Sequence, residues 1–307
     1  MSFWRNRTKN HENAEGFSEP ILLYCSASKV AKIEEKTNMH SADTKDEDLL
    51  LDIFTDESIV FKSVSKVLSK NFIDATFIVS QQGVFLQETL QDMTLVFEMV
   101  LRSQKFLRYR MPTIEREGSV LCLGFSVEDL KNALDRITKT DHFRMYIRAD
   151  EPHVLHMEIT NETKKSKTHK FITLKNTKLS DVIPPTYVDH QPTVVVSSTH
   201  FKKVTADAYK NSKVKIRIYA QKTGCMIEGT SSQIRGNQDL FGTWDDKGVV
   251  VYDEIISTKK FHSFAEMAII SVTKTIQIYA CEQNPLRLNA DAGGLGRVSL
   301  YIQPSSE

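Results

Sequence analysis

The chain repeats itself. Phe61-Lys-Ser-Val64 returns as Phe201-Lys-Lys-Val204, 140 positions later (201 minus 61), and a lysine stands six positions after each valine, Lys70 and Lys210. An apolar, alternating segment and a glycine turn follow in both places, Gln81-Gln-Gly83 and Lys222-Thr-Gly224. Further on, Ile147-Arg-Ala-Asp-Glu-Pro152 is echoed by Ile278-Tyr-Ala-Cys-Glu-Gln-Asn-Pro285. A self-similar chain has to satisfy one folding plan twice. Its 307 residues suit two domains of about 150 residues each.

Within each half the dominant pattern has a period of two. In Phe143-Arg-Met-Tyr-Ile-Arg-Ala-Asp150 the odd positions are apolar and the even ones polar or amphipathic. Val214–Ala220, Thr275–Ala280 and Arg297–Ile302 alternate likewise, which predicts strands with one buried face, as in antiparallel sheets. Leu95–Arg102 carries Leu95, Phe97, Met99 and Leu101 on one face, and its other face (Val96, Glu98, Val100, Arg102) is half apolar too. Helical spacing interrupts the strands. Val60, Phe61, Val64, Val67 and Leu68 form one stripe. Ser126 with Asp129 three positions on resembles a capping box, ahead of the stripe Val127, Leu130, Ala133, Leu134 and Ile137. Two more helices are predicted over Ser198–Lys210 and Thr258–Ile270. Each half reads strand, helix, strands, helix, strands, an α+β class dominated by sheet. Residues 1–49 are polar and read as a disordered extension with an apolar island at Ile21–Tyr24. The domains follow as 50–173 and 188–307, joined by a connector over 174–187 that contains Pro184-Pro185.

Bulk charge gives no sign of a nucleic-acid partner. With 40 basic and 39 acidic residues the net charge is +1, so any such site has to come from local segregation. Cys25, Cys122, Cys225 and Cys281 are scattered without a CxxC pair, as expected of reduced residues in an intracellular protein. The start, MSFWRNRTKN, lacks the apolar core of a signal peptide, and no apolar run is long enough for a bilayer. Asp43, Asp46, Glu47 and Asp48 lack the glycine and spacing of a calcium loop and read as a solvated linker. No phosphate loop, GxSxG elbow or HExxH helix is present. Gly293-Gly294-x-Gly296 leads into a strand, which makes it a hairpin turn. His153 and His156 would project from opposite faces of a strand and could not share a metal. No catalytic residue, metal or cofactor is expected.

The informative surface is the back of the helices. At about 100° per residue, Lys62, Lys66 and Lys70 fall within about 80° of one another, opposite Val64 and Leu68 and separated by serines. Lys203 and Lys210 lie away from Phe201, Val204 and Ala208, with Asp207 nearby. On a single helix this is an ordinary solvated face. Its recurrence at one corner of both halves of a neutral chain points to binding of phosphates, which ask for charge but no base-specific geometry. The second helix breaks the pattern with Glu128, Asn132, Asp135 and Arg136, and the fourth opens on Lys259 and Lys260 before Glu266.

Gly83-Val-Phe-Leu-Gln87, Leu101-Arg-Ser103, Phe106 and Tyr109-Arg110 together resemble the first-domain core of the proliferating cell nuclear antigen family of DNA sliding clamps. Asn284-Pro-Leu286, Asp291, Gly293 or Gly294, and Tyr301-Ile-Gln-Pro304 resemble its final hairpin. The resemblance spans Leu50 to Pro304. It implies a duplicated clamp fold with two helices per domain lining the inner face of a ring, and three chains joined head to tail around duplex DNA. Edge strands near Ser166–Thr173 and Gly236–Trp244 would pair between subunits, although Phe241 and Trp244 by themselves read as core or rim residues. It also implies a tether, not an enzyme: a processivity factor for a DNA polymerase and a docking platform for replication and repair proteins, placed on DNA by a clamp loader. The compartment implied is the nucleus, with a viral replication site as the alternative. Lys62, Lys66, Lys70, Arg136, Lys203, Lys210 and Lys260 would face DNA. Partners would dock at Thr89, Met93, Thr94, Val182, Ile183, Pro285, Tyr301, Gln303 and Pro304. Threonines stand there where the family has apolar residues, and Lys175, Lys178 and a single Asp181 replace an acidic connector. One arm of a heterotrimeric checkpoint clamp, or a monomeric DNA-holding factor, would use the same fold. From a different class, an enzyme on a duplicated β-rich scaffold would require a polar pocket with converging titratable groups.

Overall fold

Every alternating strand has one face that must leave water, and the chain meets this need by laying apolar sheet faces against helices. A computed structural model describes residues 49–111, 120–176, 191–212, 214–229, 238–271, 273–282 and 284–305, with the backbone of Arg5–Asn6, Leu22–Leu23 and Val182–Ile183. In the first half one sheet runs, in spatial order, Ser166–Thr173, Val154–Asn161, His142–Arg148, Leu49–Thr55 and Arg108–Arg110. A second run is Leu95–Arg102, Gly83–Thr89, Asp74–Ser80 and Val120–Ser126.

The second half copies both. Gly296–Ile302, Leu286–Ala292, Thr275–Tyr279 and Val194–Ser197 answer the first four strands of the first sheet, with no counterpart of Arg108–Arg110 among the described residues; Gln238–Gly242, Gly224–Gly229, Lys215–Ala220 and Tyr252–Ser257 answer the second. All these neighbours are antiparallel. The halves then share a sheet. Gly296–Ile302 pairs with Leu95–Arg102 from Gly296↔Leu101 to Ile302↔Leu95, so the strands run on as one nine-stranded sheet. Its far edge, Val120–Ser126, is covered by Leu22–Leu23 in parallel register with Val120 and Leu121. Ser166–Thr173 and Gln238–Gly242 are each the outermost strand of a sheet, with no further partner strand among the described residues.

Among the described residues four helices pack on these sheets: α1 (Ser58–Ser69), α2 (Val127–Leu134), α3 (Ser198–Asn211) and α4 (Thr258–Ser263). Three begin on a serine that ends a strand. The hydroxyls of Ser126, Ser197 and Ser257 accept from the amides of Asp129, His200 and Lys260, satisfying one orphan donor at each start. The fourth predicted helix is shorter than its sequence suggested. It passes at Phe264 into a 3₁₀ turn, Phe264–Ile269, because Phe261, Phe264 and Met267, all fully buried, repeat every three residues.

Phe61 and Phe201, which announce the repeat, are 1% and 0% exposed and anchor equivalent aromatic cores. Phe61 lies 4.8 Å from Phe143 between ring centres, and Phe201 lies 5.4 Å from Phe261. The Gly293-Gly294 hairpin joins Leu286–Ala292 to Gly296–Ile302, with Gly293 at φ +58°. The Gly294 amide donates to the Glu57 carboxylate at 3.2 Å, which seats this turn of the second half on the start of α1.

The expected disorder of residues 1–49 bears almost entirely on residues outside the described set, as do Cys25, the acidic cluster at 43–48, Lys178, Asp181 and Pro184-Pro185. Part of the apolar island, Leu22–Leu23, is a strand, and so is Arg5–Asn6, which no pattern of residues announces.

Candidate nucleic-acid interface and docking groove

The helices form one row. α2 packs on α1, α1 on the 3₁₀ turn Phe264–Ile269, and that turn with α4 on α3, so the layer runs unbroken across the two halves. At the crossing the Lys70 amine lies 3.4 Å from the Glu266 carboxylate, and the Asn71 side-chain amide donates to the Ser263 hydroxyl at 3.3 Å. The sheets cover one side of this row.

On its other side the basic residues differ in their duties. Lys66 is half-buried and makes no ion pair among the described residues. Lys203 and Arg136 are exposed. Lys210 is exposed, with Asp207 at 3.9 Å. Lys62 is partly committed, because its amine donates to the Ile137 carbonyl at 2.7 Å, where the chain leaves α2. The serines between the lysines do not share their face. Ser63 and Ser65 are 3% and 1% exposed, and the Ser65 hydroxyl donates to the Lys62 carbonyl. Sheet on one side and α2 on another bury a wider arc of α1 than a single apolar stripe predicts. Lys260 stands apart from the row. Its amine contacts the Thr94 hydroxyl and lies 3.8 Å from Asp92, which brings it to the residues expected to dock partners. Burial pulls the Lys260 amine below its usual range, and Asp92 only partly offsets this.

The nine-stranded sheet has a second buried cluster on the face away from the helices. Tyr279, Arg287, Tyr301, Val96 and Thr89 are successive cross-strand partners over five strands. The Arg287 guanidinium stacks over Tyr279 at 4.7 Å and over Tyr301 at 5.6 Å. Burial pushes the Tyr301 hydroxyl up to about 12. Met93 packs against Val96 and the two tyrosines, held by a turn in which its own φ is +53°. Such a value in a residue other than glycine marks a locally strained backbone. The Gln303 amide donates to the Thr94 carbonyl at 3.0 Å, bringing the C-terminal segment alongside. The Gln303 side-chain nitrogen is buried with no hydrogen-bond partner among the described residues. Pro285 is buried just before Leu286–Ala292, and Pro304 is half-buried. Thr89, Met93, Thr94, Tyr301 and Gln303 thus come together around one row. Of the connector, Val182–Ile183 pairs antiparallel with Arg5–Asn6.

Arg287, Tyr279 and Val96 join this row without having been expected there. The half-apolar second face of Leu95–Arg102 carried a signal for Val96, but a strand does not announce which strand will lie beside it.

The remaining candidates resolve simply. His153 is exposed in a turn, whereas His156 is buried, stacked on Tyr146 and 3.0 Å from Glu151. Among the described residues, no group of three or more His, Cys, Asp or Glu side chains could hold a metal ion, and no helix is long and apolar enough to cross a membrane. Cys225 and Cys281 are free thiols, and burial pushes that of Cys225 up to about 12.

No protein-family model matches this sequence, and no curated protein matches it. Structure gives a different result. The fold matches a crystal structure of the proliferating cellular nuclear antigen from Entamoeba histolytica with a TM-score of 0.69, over 84% of this chain and 100% of that one, at 14% identity. Likeness at this identity speaks for the fold alone, and on that ground the chain has the duplicated, α+β fold of a sliding clamp.

Proposed function

We propose that this protein is a DNA sliding clamp: three chains close head to tail into a ring around duplex DNA, and the ring holds a DNA polymerase and other replication or repair proteins at their template. The observation that carries this reading is the unbroken helical layer with lysines on its solvent side. α1 with its C-cap supplies Lys62, Lys66 and Lys70, and α3 supplies Lys203 and Lys210. α2 contributes little, because Glu128 pairs with Lys131 at 3.2 Å and Asp135 stands beside Arg136. Lysine–phosphate contacts hold the duplex without reading its sequence, so a ring lined with them can slide. Retention comes from closure, and partners bound to the ring gain a high local concentration at the DNA. No bond is made or broken. Partners would bind over the Tyr301–Val96–Thr89 row, where Met93 and Tyr301 suit an apolar anchor and Gln303 offers a free donor. A nuclear location, or a viral replication compartment, and loading by a separate complex follow from the same reading.

Lys66→Glu with Lys203→Glu is the clean test, since neither amine serves another described group. In anisotropy titrations of a labelled duplex across a salt series, the double variant should bind more weakly. Its log–log salt slope should be shallower by roughly 2 per chain, at about 0.9 per lost phosphate contact. Circular dichroism should be unchanged. Equal affinity and equal slope would sink the inner-face assignment.

A further inference from the structure

The row of helices ends at α2 on one side and at α3 on the other. Its inner crossing, where α1 meets α4 and the 3₁₀ turn, is made by two polar pairs. The Lys70 amine lies 3.4 Å from the Glu266 carboxylate, and the Asn71 amide donates to the Ser263 hydroxyl at 3.3 Å. The duplication carries all four positions to the ends of the row. α3 follows α1 by 140 residues (198 minus 58), so Lys70 and Asn71 correspond to Lys210 and Asn211. The capping serines Ser126 and Ser257 stand 131 apart (257 minus 126), so Ser263 and Glu266 correspond to Asn132 and Asp135. Lysine and asparagine are thus repeated at the end of α3, and a small polar residue and an acid at the end of α2. Their exposure differs from that of their counterparts. The Lys70 side chain is 37% exposed and that of Lys210 is 76%. Ser263 is buried, whereas Asn132, Asp135 and Asn211 are exposed.

We infer that the acidic end of α2 is a seat for α3 of a second copy of this chain, with Lys210 on Asp135 and Asn211 on Asn132. This rests on the clamp reading, because it names side chains through which that ring would close. It also gives α2 a duty. An acid on a helix layer that faces phosphates opposes DNA binding, but at the end of the row it can hold the lysine of a neighbour. Lysine at one end and carboxylate at the other make the chain complementary to itself head to tail, and a contact between unlike surfaces is the kind that builds rings. Asn132 and Asn211 can each donate and accept, so they can pair as Asn71 and Ser263 do. Lys210 then turns from Asp207, 3.9 Å away in its own chain, to the acid of the next chain, and gives less to the duplex than Lys66 or Lys203. An exposed ion pair adds little affinity. Its effect is on partner choice, favouring a copy of this chain over a subunit without an acid at that position.

A charge exchange in the full-length chain, followed by light scattering over a dilution series without DNA, tests this. Asp135→Lys and Lys210→Glu should each weaken assembly about tenfold at low salt, since an attraction becomes a repulsion of similar size. The loss should shrink in about 0.5 M salt, where exposed charges are screened. The chain carrying both substitutions has the pair reversed at every junction and should recover most of the loss, which also shows that neither change spoils the fold. A second readout is covalent. Asn132→Cys with Asn211→Cys, mildly oxidised, should give chains joined through peptides containing those two positions, identified by mass spectrometry. A wild-type trimer indifferent to both single substitutions, or a double variant weaker than either single one, would overturn the proposal and leave the clamp reading standing. So would a cross-link from 132 to 211 within one chain. A wild-type monomer at every concentration would overturn the proposal and the self-closed ring together.

Discussion

Glu88 sits where a backbone ladder runs out. The pairing of Asp74–Ser80 with Gly83–Thr89 extends from Ser80↔Gly83 to Phe77↔Leu86, and beyond it the Thr76 amide donates to the Glu88 carboxylate at 2.8 Å. Burial raises this carboxyl from 4.5 to about 7; nearby Asp74 adds to the rise and the Thr76 bond opposes it. Between those two values the folded chain keeps a proton that the unfolded chain has lost. Stability therefore falls as pH rises through that window and levels off above it, by about 3 kcal/mol in all. Glu88→Gln keeps an acceptor oxygen but cannot titrate. Thermal melts at pH 5 and pH 8 should show a larger drop for the wild type than for the variant, and identical drops would refute the assignment. Asp52 meets burial differently. It is fully buried, and burial alone would raise its carboxyl, but hydrogen bonds and charge from Arg144 at 2.6 Å and Arg108 at 2.9 Å bring it below the usual range. Neither acid was legible in the sequence. Each is defined by strands 12 to 92 positions away, and alternation tells which face a residue takes without telling what stands opposite.

Elements were easier to read than their partners. The stripe Val127, Leu130, Ala133, Leu134 and Ile137 is buried as its spacing requires, and Ser126 caps the helix that it was expected to start. Such features depend on nearest neighbours along the chain, so sequence exposes them. What it hid was the arc of burial on α1 and the turn of Lys260 toward Asp92, both set by elements far away in the chain. The repeated glycines lie between these cases. Gly83 and Gly224 open equivalent strands, and a β-carbon would collide with the Leu101 carbonyl in one and the Thr243 carbonyl in the other. Only glycine lets the neighbouring backbone approach so closely. Gly83 also has φ +147°, whereas Gly224 has no such restriction. Gly83→Ala should therefore lower stability by roughly 2 kcal/mol or more, and Gly224→Ala by less, since only its neighbour has to shift. Urea midpoints of the two variants decide this, and a Gly83→Ala midpoint equal to wild type would refute it.

At the scale of the whole molecule, the duplication supplies its own rule for assembly. Inside the chain, Gly296–Ile302 of the second half joins Leu95–Arg102 of the first. The strands equivalent to these are Ser166–Thr173 and Gln238–Gly242, each the outermost strand of its sheet among the described residues. If chains repeat the junction that their halves already make, Ser166–Thr173 of one chain meets Gln238–Gly242 of the next. That contact joins unlike surfaces, so it either closes a ring or continues into a filament. Exposed apolar side chains stand at both edges, Phe171 at 66% and Leu240 at 39%. Transferring the register of Ser299↔Glu98 and Arg297↔Val100 sets Phe171 opposite Gln238 and His169 opposite Leu240. Phe171 and Leu240 then become diagonal neighbours on one face, within reach of an aromatic ring. Light scattering over a dilution series should give three times the 35.0 kDa chain mass for the wild type. Phe171→Asp, which leaves the core of its own chain untouched, should weaken assembly at least tenfold, as expected for losing about 1.5–3 kcal/mol of apolar burial. Leu240→Asp should act in the same direction. Mixing the two variants should not restore the trimer, because every closed ring would still contain damaged junctions. A wild-type monomer at all concentrations would remove the self-closed ring and leave a heteromeric clamp or a monomeric DNA-holding factor. A wild-type trimer indifferent to both substitutions would show that its junction lies on other strands.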